Sequence, residues 1–298
     1  MNTVLAVPDA SALSLLRAVI SLFKLRIGTL IAITALVGFV VTPGADASAM
    51  QALVLTLGTL MASASAGAFN QYHEHATDRL MLRTRNRAFV TGVLPRHPAW
   101  LLLFTLMLAA GVGAVWLLVN PLAALFVFLG AFFYAIVYTV WLKRRSWLNI
   151  VIGGLSGSFA VLAGGAAANP AFGPLPWLFA LVLLLWTPPH FWSLAIAGQS
   201  DYKAAGIPML PVVVGSKRAA QVVYLSTWAL VLASIVPVGF GMGAVYLVGA
   251  AMGGAYFVYR AAQLARRQDR QTAIRCFLAS LLQLSAVLIA ACFDAALR

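Results

Sequence analysis

At 298 residues the chain is 62% hydrophobic and only 9% charged, with a mean hydropathy of +0.94. Such a composition excludes an ordinary soluble domain, and long apolar runs with short polar breaks exclude a transmembrane β-barrel, which would show short alternating segments. The formal charge of +13 does not point to nucleic acid, because Lys and Arg fall in the short breaks on alternate sides of the apolar runs, as positive-inside topology requires.

Residues 1–21 are expected to be weakly structured or to lie along the membrane surface, kept cytoplasmic by Arg17. A cleavable signal is not expected, since a basic leader is lacking and Lys24 and Arg26 interrupt just before the first apolar run. That run predicts a first span over Leu25–Val41, followed by an outer turn at Pro43, Gly44 and Asp46. The second span, Gln51–Tyr72, carries small residues from Ala62 to Ala68 that let another helix approach closely. The polar stretch NQYHEHATDRLMLRTRNR, Asn70–Arg87, comes next and holds two of the seven acidic residues. Spans three (Pro98–Val119) and four (to Trp141) turn at Asn120 and Pro121 and end in Lys143, Arg144 and Arg145.

A glycine-rich fifth span, Asn149–Ala168, predicts close packing at Gly153, Gly154, Gly157, Gly164 and Gly165, or a thin wall beside a bulky ligand. The sixth, Leu178–Ala197, contains Pro188 and Pro189, which are expected to kink or unwind it one turn before His190. An inner loop, Gln199–Arg218, leads to spans seven (Ala219–Val238) and eight (Gly241–Tyr259), an Arg-rich inner loop, and a ninth span ending near Ala291. Cys276 and Cys292 lie about 24 Å apart along that last helix, too far for a disulfide.

The fold expected is an all-α polytopic membrane protein with nine transmembrane helices, the N-terminus cytoplasmic and the C-terminus outside; every Lys and Arg except Arg298 then lies on one side. A cytoplasmic segment, residues 1–21, precedes a single transmembrane domain, 22–298, with cytoplasmic motif-bearing loops at about 70–97 and 198–218. The second and sixth spans share an orientation and each ends in a polar segment holding an acid and a base, so parallel halves would bring the two ends together over one cavity.

If helix continues past Tyr72, Asn70, Glu74 and Asp78 share one face at i, i+4 spacing. Two carboxylates at a helix C-terminus repel each other and the helix dipole, so cations must offset them. Carboxylates and an amide oxygen beside arginines suit Mg²⁺, a hard ion held by one or two carboxylates plus phosphate oxygens, with guanidinium groups on the remaining phosphate oxygens. His73 and His75 flank Glu74 on different faces, and HEHATD is not the HExxH zinc pattern. In the second cluster, Trp186–Gly215, a buried His190 needs a partner, Asp201 adds a carboxylate, Lys203 can meet phosphate, and Tyr202 can orient the acid or stabilise positive charge through its ring. Metal, phosphate-binding bases and an apolar aromatic cavity together suit a prenyl diphosphate, ionised where water is excluded.

At these residues the chain resembles the UbiA-type intramembrane prenyltransferases, and among them the branch that farnesylates haem. The family's Asn-x-x-x-Asp-x-x-x-Asp motif is matched by Asn70, Glu74 and Asp78, with Glu74 standing where Asp is usual. Met81, Arg83, Thr84 and Arg87 match its continuation in the haem branch. YTVWLKRRSWLNIVIGG from Tyr138, and PPHFWSLAI followed by DYKAAGIPMLPVV, extend the likeness over nearly the whole chain. The second site lacks the Asp-x-x-x-Asp of quinone-type members, because Ala205 follows Asp201.

The resemblance implies transfer of the farnesyl group of farnesyl diphosphate to a vinyl group of haem B, giving haem O and pyrophosphate at a bacterial inner membrane, with the active site toward the cytoplasm. It implies that Asn70, Glu74, Asp78 and Asp201 organise Mg²⁺ and diphosphate, and that Arg79, Arg83, Arg87, Lys143, Tyr202 and Lys203 surround the diphosphate. His190 would contact haem or manage a proton. Haem A synthase or terminal-oxidase assembly proteins would be partners, besides membrane lipid. A quinone- or chlorophyll-precursor prenyltransferase, and a transporter built from paired repeats and kinked helices, remain alternatives.

Overall fold

The computed structural model describes residues 12–43 and 48–297. Gly44, Asp46, Arg298 and residues 1–11, about which the sequence raised expectations, lie outside them. The described chain is helical throughout, with no strand among these residues. Its elements are α1 (Ala12–Leu22), α2 (Leu25–Val40), α3 (Ala49–Asp78), α4 (Ala88–Thr91), α5 (Ala99–Leu118), α6 (Pro121–Phe132), α7 (Asn149–Gly153), α8 (Leu155–Ala168), α9 (Pro174–Ala197), α10 (Gln199–Ala204), α11 (Leu210–Ile235), α12 (Ala244–Arg267) and α13 (Arg270–Ala296). A π-helical segment, Phe133–Leu142, continues α6, and a 3₁₀ turn, Val236–Phe240, ends α11.

Eight helices among the described residues are long and apolar enough to cross a membrane. The 24-residue α12 is not one of them, since glycines, tyrosines and Arg260 dilute its apolar residues. Exposed Leu13, Leu16 and Ile20 make α1 a helix with an apolar outer surface, ordered where the sequence allowed a weakly structured segment.

Helix ends follow local chemistry. Ser48 caps α3 in a reciprocal box with Gln51 (Ser48 N–H to Gln51 Oε1 2.8 Å, Gln51 N–H to Ser48 Oγ 3.2 Å). Asp269 caps α13 by accepting the Thr272 N–H at 2.7 Å, a bond that holds its carboxyl below the usual carboxylate range. Asp294 reaches across the α12–α13 hairpin to accept the Gly243 N–H at 2.7 Å, capping α12 from outside its own chain segment.

The bundle has two halves. In one, α2, α3, α5, α6 and α8 pack together; in the other, α9, α11, α12 and α13 do, and α8 against α9 and α2 against α13 join them. Close approach at the α2–α8 crossing depends on missing side chains: a Cβ on Gly164 would lie 1.9 Å from the Ala35 carbonyl oxygen, and one on Gly38 2.2 Å from that of Val161. Gly164→Val is therefore expected to force the helices apart and cost about 3 kcal/mol or more. Thermal unfolding in detergent checks this, and a midpoint equal to the parent's would contradict the packing.

The fifth span is two helices, breaking at Gly154. Four of its glycines pack as expected, against Tyr138 (Gly153), Thr187 (Gly154), Ala35 (Gly164) and Pro176 (Gly165), whereas Gly157 faces open space. Pro188 and Pro189 remain inside a continuous α9, so the expected unwinding there does not occur. The inner loop after α9 is largely helical: α10 and the start of α11 occupy it, and the break falls at Gly215, whose φ of 80° suits glycine.

Candidate active site

Helix α3 is 30 residues long, about 45 Å, which exceeds a hydrocarbon core of about 30 Å. The excess carries the polar motif beyond the apolar run, so residues 70–78 are helix where a loop was expected. Asn70, Glu74 and Asp78 share one face and are all buried, at 2–3% exposure. Each meets a cation from a different element. Lys24, between α1 and α2, places Nζ 2.6 Å from Asn70 Oδ1. Lys143, at the end of the π-helical segment, lies 2.5 Å from the Glu74 carboxylate oxygens. Arg87, just before α4, donates to Asp78 Oδ2 at 2.6 Å. The latter two are both of the ion pairs found among the described residues. Arg144 donates to Thr77 Oγ1 on the same helix end.

The π-helical segment builds the facing wall. Asn70 Nδ2 donates to Thr139 Oγ1 at 3.0 Å, Thr139 donates to the Tyr134 carbonyl at 2.8 Å, and the Tyr134 hydroxyl lies 3.2 Å from Lys24 Nζ. Residues five apart diverge by about 140° on an α-helix, but π-helical i, i+5 spacing stacks them on one face. Tyr134 and Tyr138 are stacked, with centroids 5.7 Å apart, and Lys143 Nζ lies 5.6 Å from the Tyr138 ring centroid. Asn149, fully buried, donates to the Lys143 carbonyl at 3.3 Å and leaves its Oδ1 without a partner.

The second cluster comes to the same place. Met81, from the loop after α3, shares a buried cluster with Trp192 of α9, Tyr202 of α10 and Ile207, and Tyr138 packs against it. Glu74, Arg83 and Arg87 are close enough to Tyr138 for their charges to act on it. Asp201 is half-buried in the first turn of α10, and its carboxylate has no partner among the described residues. Arg79, Arg83 and Lys203 are exposed and pair with no acid among the described residues.

His190 lies elsewhere, on the α9–α13 seam. Its ring stacks between Trp186 (centroids 4.0 Å) and Phe277 (4.5 Å), and Nδ1 is 2.7 Å from Ser280 Oγ; none of its partners is on α3. His73 stacks on Phe69, and half-buried His75 has an unpartnered Nδ1.

Whether this donor set fits a metal follows from its chemistry. No three His, Cys, Asp or Glu side chains among the described residues converge to hold an ion by themselves. Along α3, Asn70 and Asp78 are about 12 Å apart, so one ion cannot bind both. Glu74 with either neighbour offers hard oxygen ligands only, facing bases that an anion can recruit. That fits Mg²⁺ or Mn²⁺ completed by substrate oxygens and does not fit zinc.

A model of the UbiA prenyltransferase family matches residues 31–286. The chain belongs to the UbiA prenyltransferase family. Among curated relatives, protoheme IX farnesyltransferase 2 of Paramagnetospirillum magneticum is 50% identical over 275 residues, 92% of this chain and 96% of the relative. Protoheme IX farnesyltransferase 1 of that organism is 45% identical over 280 residues, 93% and 98% of the two chains. The fold is shared with a solved digeranylgeranylglyceryl phosphate synthase (TM-score 0.79, 18% identity, 95% of this chain and 99% of that one). It is also shared with a UbiA homologue from Archaeoglobus fulgidus solved with DMAPP and Mg²⁺ (TM-score 0.69, 18% identity, 92% and 98%).

The cluster contains residues that the sequence did not single out. Lys24 reads in the sequence as a charge interrupting the membrane boundary, and only the bend between α1 and α2 turns it inward. Tyr134, Thr139 and Asn149 sit in apolar runs where single polar residues are ordinary, so their spacing carries no signal.

Proposed function

We propose that this chain transfers the farnesyl group of farnesyl diphosphate to a vinyl group of haem B, giving haem O and pyrophosphate. The observation that carries the reading is the convergence of Lys24, Lys143 and Arg87 on one carboxylate-bearing face of α3 at the polar end of an apolar bundle. The named function of relatives up to 50% identical supplies the acceptor.

In this reading Glu74 and Asp78, with Asn70 and Asp201, hold Mg²⁺ and the diphosphate. When bound, the metal draws off the negative charge that develops as the C–O bond breaks. Lys143, Arg87, Arg83, Arg79 and Lys203 take the diphosphate oxygens, and Tyr138 and Tyr202 wall the site where the allylic cation forms. The vinyl carbon of haem bonds to the farnesyl carbon, pyrophosphate leaves, and water adds to the resulting cation with loss of a proton. His190, whose Nδ1 meets Ser280 and whose Nε2 bonds to no group among the described residues, is the candidate haem contact.

The chain would cross the inner membrane nine times, α12 included, with the N-terminus and active site cytoplasmic and the C-terminus outside. The Arg- and Lys-rich segments Arg79–Arg96, Lys143–Arg145, Lys203–Arg218 and Arg260–Arg275 then share one side. Haem A synthase or a terminal-oxidase assembly protein is the partner expected to take the product.

Incubation of purified protein with haem B, farnesyl diphosphate and Mg²⁺, followed by mass analysis of the haem, tests the reading. The expected product is haem bearing a hydroxyethylfarnesyl group. Folded, haem-loaded protein that yields none, yet prenylates 4-hydroxybenzoate, would reject haem as the acceptor.

A further inference from the structure

Lys24 is set into the site by features unrelated to membrane topology. Its backbone is left-handed, φ 48° and ψ 42°, one of two non-glycine residues with positive φ among the described residues. That conformation costs energy for a residue with a Cβ and persists where the surrounding structure requires it. The bend separates α1 from α2 and sends the side chain into the bundle. Its stem lies over Gly67, where a Cβ would come within 3.4 Å of Lys24 Cδ. Gln71 fixes the end of α1 alongside by donating to the Ser21 and Leu22 carbonyls at 3.1 and 3.0 Å. The ammonium then bonds Asn70 Oδ1 at 2.6 Å and lies 3.2 Å from the Tyr134 hydroxyl. A lysine needed only to mark the cytoplasmic side would reach outward to water instead.

Asn70 offers one acceptor oxygen to the site, because its amide nitrogen is committed to Thr139. An ammonium at 2.6 Å from that oxygen and a divalent ion bound to it would repel strongly in so buried a place.

We propose that Lys24 is the resting counter-cation of the prenyl diphosphate site. It holds Asn70 Oδ1 while the site is empty, yields that oxygen to the metal, and passes its ammonium to the diphosphate that arrives with it. The inference rests on the metal–diphosphate reading above and assigns Lys24 two roles in it, holding Asn70 in the empty site and binding the diphosphate in the filled one. Asn70 is thereby kept in its ligating rotamer without a bound ion, and metal affinity becomes dependent on diphosphate.

The test measures binding without turnover, on the full chain in detergent. Mn²⁺ is titrated by electron paramagnetic resonance, and inorganic pyrophosphate by calorimetry with Mg²⁺ present. Lys24→Met is expected to bind Mn²⁺ alone about tenfold more tightly, since the competing charge is gone, and pyrophosphate about tenfold more weakly. Lys24→Arg, which retains the charge, is expected to restore the weak binding of Mn²⁺ alone. A folded Lys24→Met protein, judged by its unfolding midpoint, with unchanged or weaker Mn²⁺ affinity would overturn the proposal. So would unchanged pyrophosphate affinity. Loss of Mn²⁺ binding in Glu74→Gln/Asp78→Asn shows that the metal reading stands whatever Lys24→Met does, whereas a parent chain that binds no Mn²⁺ overturns both.

Discussion

Replacing Glu74 with Gln and Asp78 with Asn together is expected to lower haem O formation by at least about 10³-fold, given that single preorganised groups at a developing charge are worth about 10²–10³-fold. The amides keep the size of the originals and one accepting oxygen each, but put a donor in place of the other oxygen and remove both negative charges from the face of α3. Lys143 and Arg87, now paired with the acids at 2.5 and 2.6 Å, would then face neutral oxygens in a buried setting. Some stability is lost as well, less than the roughly 3–5 kcal/mol expected when a buried charge loses its partner outright, because the amide oxygens still accept. Mass analysis of haem and the unfolding midpoint, measured on one preparation, separate the two effects. Product near the parental level would remove these acids from catalysis and leave them as counter-ions for the bases.

Asp201→Asn is expected to show the opposite balance. Its carboxylate is half-buried at the start of α10 and bonds to no group among the described residues, so its neutralisation is expected to cost the fold nothing. Desolvating a charge without a partner is unfavourable, which under the proposed function is offset when this carboxylate meets the metal and diphosphate. The expected result is a loss of about 10²–10³-fold in kcat/KM with an unfolding midpoint indistinguishable from the parent's. Parental turnover would remove Asp201 from the site. A lowered midpoint would mean that it serves the fold instead.

Much of the architecture was legible because membrane burial writes itself into composition. Helix existence, the tight turn at Asn120 and Pro121, and the close packing of Gly164 against α2 follow from runs of apolar and small residues. The face shared by Asn70, Glu74 and Asp78 followed from their spacing, since four residues make about one helical turn. The family resemblance pointed to Lys143 and Arg87 as candidate diphosphate contacts, but not to which acid each would meet.

Other features depended on the particular packing. Continuity of α9 through Pro188 and Pro189 depends on the neighbouring helices packed against it, which offset a local tendency to break. The position of His190 on the α9–α13 seam depends on Ser280 and Phe277, ninety and eighty-seven positions away in the chain.

By itself the sequence determined a helical membrane protein in which two of the seven acids, Glu74 and Asp78, share one helix face, because they stand four residues apart. The partner of each acid was left to the tertiary structure. Lys24 reaches Asn70 only through a left-handed bend, and Tyr134 and Thr139 share a face only because their segment is π-helical rather than α-helical. Both depend on backbone conformation, which residue spacing at the α-helical period cannot encode.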